Sequence, residues 1–326
     1  MFNLSNLYTR AMDSDLPTTA TPIWGHLMSE QAPLPASGSP ASPEWWRCEL
    51  KDATPDPPFD PSVPHPARVY AYWLGGKDHY LADRHAAEEV IRRRPQVVEG
   101  ARANRAFLAR VIRFLAAECG IRQFVDIGTG LPAPHNTHEI AQVVAPDCRA
   151  VYVDNDPLVL VHARALLTST RQGSCDYLEA DLRDTPRILA GAAQTLDLTR
   201  PVAVLLLAVL HFIADIDDPA GIIAALASNL APGSFIVISH LTGDFAPEQV
   251  SAGVTVYNSL VPTVLIPRNH ARVSGLFGGL PLVSPGVVPL VEWRPTQVGP
   301  FSQQADMYAG VACTSRQRKC SCIARL

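Results

Sequence analysis

Between residues 121 and 241 short apolar runs alternate with amphipathic stretches. The runs QFVDI, RAVYVD, CDYLEA, VAVLLLA and SFIVISHL read together as near-continuous apolar runs rich in valine, isoleucine and leucine. A strand covered on both faces of a parallel sheet reads this way, because neither side meets water. Helical spacing fills the gaps, near 137–145, 157–169, 185–195 and 219–230. Strand–helix alternation at this interval predicts a doubly wound, mostly parallel α/β sheet. Two later runs, LPLVSPGVVPLVEW and MYAGVACT, have little helical pattern between them. They predict two more strands forming an antiparallel hairpin edge.

Ahead of the sheet the period is helical. RHAAEEVIRRR predicts a helix stopped by Pro95, and a second runs from about Val97 to Cys119. Val97, Ala101, Leu108, Val111, Ile112 and Leu115 share one face of it. Gly120 stands where a C-terminal cap belongs. The run Arg92-Arg93-Arg94 reads as a solvated face. Residues 63–120 are thus expected to be a helical cap on a sheet domain spanning 121–313. Residues 1–66 hold 12 of the chain's 29 prolines. Such a segment buries too little apolar surface to offset ordering entropy, so 1–62 is expected to be a disordered leader, with Trp45-Trp46 as its one docking candidate. The tail, 314–326, is basic and without periodicity.

Composition narrows the function. The 326 residues are 47% hydrophobic with a net charge of −4. That balance gives no electrostatic reason to expect nucleic acid or an anionic membrane as partner. No apolar run approaches the roughly 18 residues of a membrane span. The seven cysteines are scattered without a C-x-x-C pair, which suits a reduced, cytoplasmic protein. Cys320 and Cys322 lack nearby histidines for a zinc site.

In an open α/β sheet, ligands bind beyond the carboxyl ends of the strands, so the residues just past each strand carry the chemistry. The first strand is followed by Asp126, Gly128 and Gly130; the second by Asp154, Asn155 and Asp156; the third by Asp181 and Leu182; the fourth by Leu210 and His211. Three acids at successive strand ends outline one ligand. Asp154, well past Gly130, is placed to accept hydrogen bonds from a ribose diol, or to cap the helix that begins near Pro157.

The stretch GTGLPA fits G-x-G-x-x-A, a weak dinucleotide signal by itself. The prolines argue against a pyrophosphate, which is held by backbone N–H groups and a helix N-terminus directly behind the loop. Pro132 and Pro134 have no N–H. Asn136-x-x-Glu139 resembles a capping box, which starts the helix about six residues past Gly130. Asp126 would repel a phosphate and attract an ammonium or sulfonium. S-adenosylmethionine carries both cations and no phosphate.

DIGTG, VDNDP, EADLRD and LAPGS resemble the successive motifs of class I S-adenosylmethionine-dependent methyltransferases. More narrowly, HPARVYAYWLGGKDHY, ARANRAFL, FVDIGTGLP and VYVDNDPLVLVHARALL are similar to the actinobacterial S-adenosyl methyltransferase family first catalogued as a domain of unknown function. The likeness covers about residues 63 to 313. It implies a seven-stranded Rossmann-like methyltransferase fold with S-adenosylmethionine as cofactor. By position, Asp126, Gly128 and Gly130 match the methionine-side loop, Asp154 the ribose acid, and Asp181 with Leu182 the adenine edge. Two positions depart: Ala71 stands where the family usually has Asp, and His79 where it usually has Asn, so no polar contact is carried over to them.

In RVYAYWLGGKDHY (68–80), three aromatics, a Gly pair and a charged pair are not a helix-interior pattern. Tyr72, Gly75 and Gly76 are candidates for a lid over the cofactor, with aromatic faces toward a sulfonium and a glycine hinge. The alternative is that Tyr70, Trp73 and Leu74 pack on the fold. His135, His138 and Glu139 lie close in sequence, but no further ligand is placed beside them, and no metal is expected. His211 and His240 close the fourth and fifth strands and each can face the pocket. His211 is a weak candidate base, needed only if the acceptor must lose a proton. The expected function is a methyltransferase acting on a small-molecule acceptor by in-line displacement. A non-catalytic S-adenosylmethionine-binding protein and an NAD-dependent oxidoreductase are the competing readings.

Overall fold

The computed structural model describes residues 59–166, 168–295 and 305–315. The leader up to residue 58, with Trp45, Trp46 and Cys48, lies outside the described residues, as does the tail from 316 with Cys320 and Cys322.

Gln123–Ile127 (β1) is buried at every position, as its apolar run requires. Arg149–Asp154 (β2) and Ser174–Glu179 (β3) pair parallel outward on one side of it. Ala203–Leu207 (β4) and Phe235–Leu241 (β5) pair parallel on the other. Met307–Cys313 (β7) then runs antiparallel to β5, and Val288–Pro289 (β6) pairs with β7 at the edge. The sheet is seven-stranded, in the order β3-β2-β1-β4-β5-β7-β6. Six of these strands follow the apolar runs closely. The run at 280–293 does not become a full strand. Beyond β6 only Leu282 bridges to Ala312, and residues 290–292 turn into a 3-10 helix. Pro281, Pro285 and Pro289 remove the amide donors that a longer ladder needs.

Alternate residues of each strand feed opposite cores. Phe124 and Tyr152 join Phe107, Ile112 and Leu115 on one face. Val125, Val151 and Val153 join Ile188, Ile223 and Leu226 on the other. The helical face predicted from Val97 onward is buried throughout. It belongs to α3 (Val97–Arg113), which continues as a π-helical turn, Phe114–Glu118, rather than α-helix to Cys119. Four helices lie between the parallel strands: α4 (Thr137–Val144), α5 (Pro157–Leu166), α6 (Thr185–Ala192) and α7 (Pro219–Ser228). The capping box forms, with the Asn136 N–H donating to Glu139 at 3.0 Å.

Residues 66–73 correct the sequence expectation. They form a helix, α1 (Pro66–Trp73), with Pro66 in its first turn. The Gly pair ends it as a Schellman motif: Gly75 N–H donates to Tyr72 O and Gly76 N–H to Ala71 O, both at 2.9 Å, with Gly75 at φ +83°. α2 (Leu81–Arg93) follows. Two further helices, α8 (Pro247–Leu260) and α9 (His270–Gly275), had no clear period. In α8 only Val250, Gly253 and Tyr257 are buried, a stripe too narrow to read through the surrounding Val and Thr. A third core joins Val69, Ala86, Ala87 and Val90 of α1 and α2 to Tyr257 and Val261, so α8 packs with the N-terminal helices.

Trp293 is fully buried, with T-shaped contacts to Phe107 (5.4 Å) and Phe114 (5.6 Å). Arg294 stacks over Phe114 at 4.0 Å. Trp293→Ala should cost about 3–5 kcal/mol, the range for emptying a large aromatic site. Urea unfolding of the two proteins measures it, and a loss under 1 kcal/mol would mean that this cluster is not packed as described.

Candidate functional site

The strand order reverses between β1, which leads out to β2 and β3, and β4, which leads out to β5. Loops leaving the carboxyl ends of β1 and β4 diverge there and open a crevice. A cavity of about 490 Å3 fills it. Of the expected residues, Asp126, Gly128, Gly130, Asp154, Asn155, Asp181, Leu182 and His211 all line this cavity. Tyr72, Gly75 and Gly76 do not. The Tyr72 hydroxyl donates to Glu88 at 2.8 Å on the surface, and the glycines terminate α1. α1 presents Tyr70 and Trp73 to the cavity instead, together with His65 and Pro66 at its start.

The glycine loop closes on the protein itself. Gly128 and Thr129 donate to Val153 O at 2.8 and 3.3 Å, and Gly130 donates to Asp154 Oδ2 at 2.8 Å. Ala133 donates to Asn136 Oδ1 at 3.3 Å. Gly128 has φ +71°, and a Cβ there would collide with the Val209 side chain, so only glycine lets the β1 and β4 loops meet. Arg105 of α3 holds the proline end of the loop, donating to Pro134 O at 3.1 Å and His135 O at 2.9 Å.

Two carboxylates stand at the floor. Asp126 is buried and accepts from Thr137 Oγ1 at 2.6 Å, which ties β1 to the first turn of α4. Burial raises its pKa to about 6, against the lowering effects of Thr137 and of Arg105. Asp154 accepts from Gly130 through Oδ2 and from the Asp156 N–H through Oδ1 at 3.0 Å. Burial raises its pKa too, although both backbone bonds pull the other way. The third acid, Asp181, lies nearer the surface, and its carboxylate is held by Arg183 at 2.9 Å, which also reaches Asp217 at 3.0 Å.

Asp156 links this floor to the cap. It accepts from Leu158 N at 3.0 Å at the start of α5. Its Oδ2 lies 3.1 Å from His65 Nδ1 and 3.3 Å from Arg68 Nε, at ion-pair distance rather than in hydrogen-bond alignment. Burial favours its neutral form, but His65 and then Arg68 hold the carboxyl below its ordinary range. Arg68 also lies 3.5 Å from Asp83, which accepts from His65 N and Tyr80 N. All three charged side chains are almost fully buried.

His211 and His240 part company. His211 lines the cavity, with Nδ1 3.4 Å from the Leu241 N–H. Burial, then His240 and Arg268, push its pKa well below the ordinary imidazole value. His240 lies behind the cavity wall. Its Nδ1 faces Leu241 O at 2.7 Å and its Nε2 faces Arg268 Nη1 at 2.9 Å. Burial lowers its pKa to about 4. Arg268, itself buried, donates to Leu210 O (2.9 Å), Ile213 O (2.7 Å) and Asp215, and so fixes the loop after β4. His138 is built into the fold, with its Nδ1 2.6 Å from the Tyr152 hydroxyl.

Arg94 corrects the reading of its run. Arg92 and Arg93 are exposed, but Arg94 is buried, lines the cavity and pairs with Asp306 at 2.6 Å. It sits just past α2 with φ −145°, outside the helical face on which the run was projected. Arg105, Asn104, Phe212 and Tyr257 also line the cavity and were not singled out. No spacing in the sequence marks them, because they converge from α3, the β4 loop and α8.

A family model described as S-adenosyl methyltransferase matches residues 52–315. The chain belongs to the S-adenosyl methyltransferase family. A DUF574 family protein from Streptomyces avermitilis is 43% identical to it, with TM-score 0.75 over 78% of this chain and 98% of that one. A candidate methyltransferase from Thermobifida fusca is 37% identical, with TM-score 0.73 over 81% of this chain and 100% of the other. No curated protein matches the sequence. Membership makes the chain a methyltransferase, with S-adenosylmethionine as its cofactor. The cavity's chemistry fits that group. Two buried carboxylates suit a cation, and the loop amides that would hold a phosphate are bonded within the protein. Among the described residues no helix is long and apolar enough to cross a membrane.

The Asp126 carboxyl is raised on folding from 3.8 to about 6. Its ionisation therefore opposes folding above about pH 6, and that opposition fades as pH falls from 6 toward 4. Asp126→Asn should stabilise the ligand-free protein at pH 8 by up to about 3 kcal/mol, and by little at pH 4. Unfolding curves of both proteins at the two pH values test this; a difference independent of pH would contradict it.

Proposed function

We propose that this methyltransferase acts on a small molecule, and that the strand-end half of the cavity holds the cofactor. In this reading Asp154 and Asn155 take the ribose, Asp126 faces the ammonium, and Asp181 with Leu182 borders the adenine. Gly128 and Gly130 give the methionyl end its room. The observation that carries the reading is the direction of the loop's hydrogen bonds. Gly128, Thr129, Gly130 and Ala133 already donate to protein acceptors, and Pro132 and Pro134 have no N–H to offer. A pyrophosphate would find almost no donors and a carboxylate facing it.

When bound, S-adenosylmethionine supplies an electrophilic methyl group on a good leaving group. The chain's own task is then to place an acceptor atom in line with it and to exclude water, the kind of positioning that supplies most of such a rate. His211 borders this space as a neutral imidazole. Its low proton affinity suits a hydrogen-bonding role better than that of a base at neutral pH. Residues 63–120 act as the cap and 121–313 as the cofactor domain, with α8 of the second packing into the first. The net charge of −4 and the acid-lined floor favour a small acceptor over nucleic acid.

Calorimetry with S-adenosylhomocysteine and with NAD separates this reading from an oxidoreductase: tight binding of the first and none of the second is expected, and the reverse would overturn it. Because Asp154 also secures Gly130 and Asp156, Asp154→Ala should weaken S-adenosylhomocysteine by roughly 1.5–3 kcal/mol, the loss of charge-assisted hydrogen bonds. An unchanged dissociation constant would remove Asp154 from the site.

A further inference from the structure

S-adenosylmethionine ends in an amino acid, with an ammonium and a carboxylate on one carbon. Asp126 is placed for the ammonium. The carboxylate is an anion, and the floor beside it already holds two buried carboxylates, Asp126 and Asp154. An anion taken out of water there without a partner is strongly disfavoured. The loop's amides are spent: Gly128, Thr129, Gly130 and Ala133 donate within the protein, and Pro132 and Pro134 have no N–H. The partner has to be a side-chain cation.

Among the described residues three arginines line the cavity, Arg94, Arg105 and Arg183. Arg94 is engaged by Asp306 at 2.6 Å. Arg183 is engaged by Asp181 at 2.9 Å and by Asp217 at 3.0 Å. Of the two lining histidines, His65 lies 3.1 Å from Asp156, and His211 is held neutral by burial. Arg105 differs. Among the described residues it pairs with no acid, and its two hydrogen bonds, to Pro134 O and His135 O, both leave from Nη2. Nε and Nη1 carry the remaining donors of the guanidinium and have no protein partner. The residue is only half-buried, and neither nitrogen is sealed from solvent.

Its position suits the amino-acid end. Nη2 grips the proline end of the loop that begins at Gly128. Burial raises the pKa of Asp126 on the floor and of Tyr70 in α1, and the charge of Arg105 opposes the rise in both. The guanidinium thus stands between the floor and α1, within electrostatic reach of the carboxylate assigned to the ammonium.

We propose that Arg105 is a cofactor-binding residue, its guanidinium receiving the carboxylate of S-adenosylmethionine while Asp126 takes the ammonium, so that the site reads the amino-acid end as a zwitterion. The proposal rests on the strand-end half holding the cofactor, with its methionyl end at the glycine loop. The consequence is specificity. A sulfonium donor that has lost its carboxylate would bring only cations to a site where Arg105 faces it.

S-adenosylhomocysteine and its decarboxylated analogue, which keeps the ammonium, form the test. Both are titrated by calorimetry into wild type, Arg105→Gln and Arg105→Lys. The ratio of the two dissociation constants is the readout, because loosening the loop that Nη2 holds would weaken both ligands together and cancel. Wild type should prefer the carboxylate-bearing ligand by about tenfold or more, the worth of a charge-assisted hydrogen bond. Arg105→Gln can still donate to the loop carbonyls but carries no charge, and should reduce the preference to threefold or less. Arg105→Lys keeps the charge and should retain more than threefold. The wild-type and lysine ratios decide the matter even if Arg105→Gln does not fold. A wild-type preference under tenfold, one above threefold in Arg105→Gln, or one of threefold or less in Arg105→Lys would each overturn the proposal. Failure of S-adenosylhomocysteine to bind wild type would instead overturn the cofactor reading, and the proposal with it.

Discussion

The Gly128–Gly130 loop turns its amides inward, and the rest of the site takes its shape from that. Gly128 and Thr129 donate to the end of β2, and Gly130 donates to Asp154. The loop can lie so close only because Gly128 has no side chain to strike Val209. Closing the loop in this way draws the carboxyl ends of β1, β2 and β4 together. It leaves Asp126 and Asp154 buried side by side, each raised in pKa by burial and by the other's charge or that of Asp156. Two such carboxylates are costly in an empty cavity and useful in one that receives a cation. The same loop geometry that makes these carboxylates costly in the ligand-free protein thus suits a cationic ligand.

The cap is attached to that floor by charge rather than by apolar contact alone. Asp156 follows Asp154 by two residues, starts α5, and faces His65 and Arg68 from α1 and its leading turn. Burying Arg68, Asp83 and Asp156 together carries a desolvation penalty that their attraction does no more than roughly balance. Such a cluster adds little to stability but penalises any other docking of α1, since a shifted helix would leave a charge alone in the interior. α1 therefore lies over the loop that follows β2 and lines the cavity with Tyr70 and Trp73 from the same short segment. Tyr70 is bonded to Asn104, and Asn104 to Ser239 at the end of β5, so the cap is also tied to the strands that border the far side.

What the sequence made legible follows from how local each signal is. β1 and β4 were visible because burial on both faces leaves QFVDI and VAVLLLA largely apolar, with Gln123 and Asp126 the polar exceptions. β3 is only partly covered, with Asp176 and Glu179 exposed, and was visible through its place in the alternation. The late start of α4 was visible because Asn136 and Glu139 complete a box within four residues. The acids were visible because they stand at or just past the carboxyl ends of strands. α1 was not, because its two glycines read as a hinge, whereas a Schellman stop uses the same residues to end a helix. Arg94 was hidden by its neighbours: three arginines in a row look solvated, and only the departure from helical φ past α2 turns the third one inward. The cap half of the cavity was the least legible. It is assembled from α2, α3, the β4 loop and α8, and no spacing along a chain encodes that convergence.

The ionisable groups around the cavity constrain how the chemistry is done. His211 is held neutral by burial, with His240 and Arg268 opposing its charge. Tyr70 and Tyr257 are phenols raised in pKa by burial, donors rather than bases. Asp126, raised by burial to about 6, stands on the floor beside the glycine loop. None of His211, Tyr70 and Tyr257 is a group suited to accept a proton near neutral pH. Methyl transfer can proceed without one, since the leaving group departs unaided once the acceptor is in line. An acceptor that loses its proton only after transfer, to water on release, asks its pocket to hold it in line and to keep water away, and asks for no base.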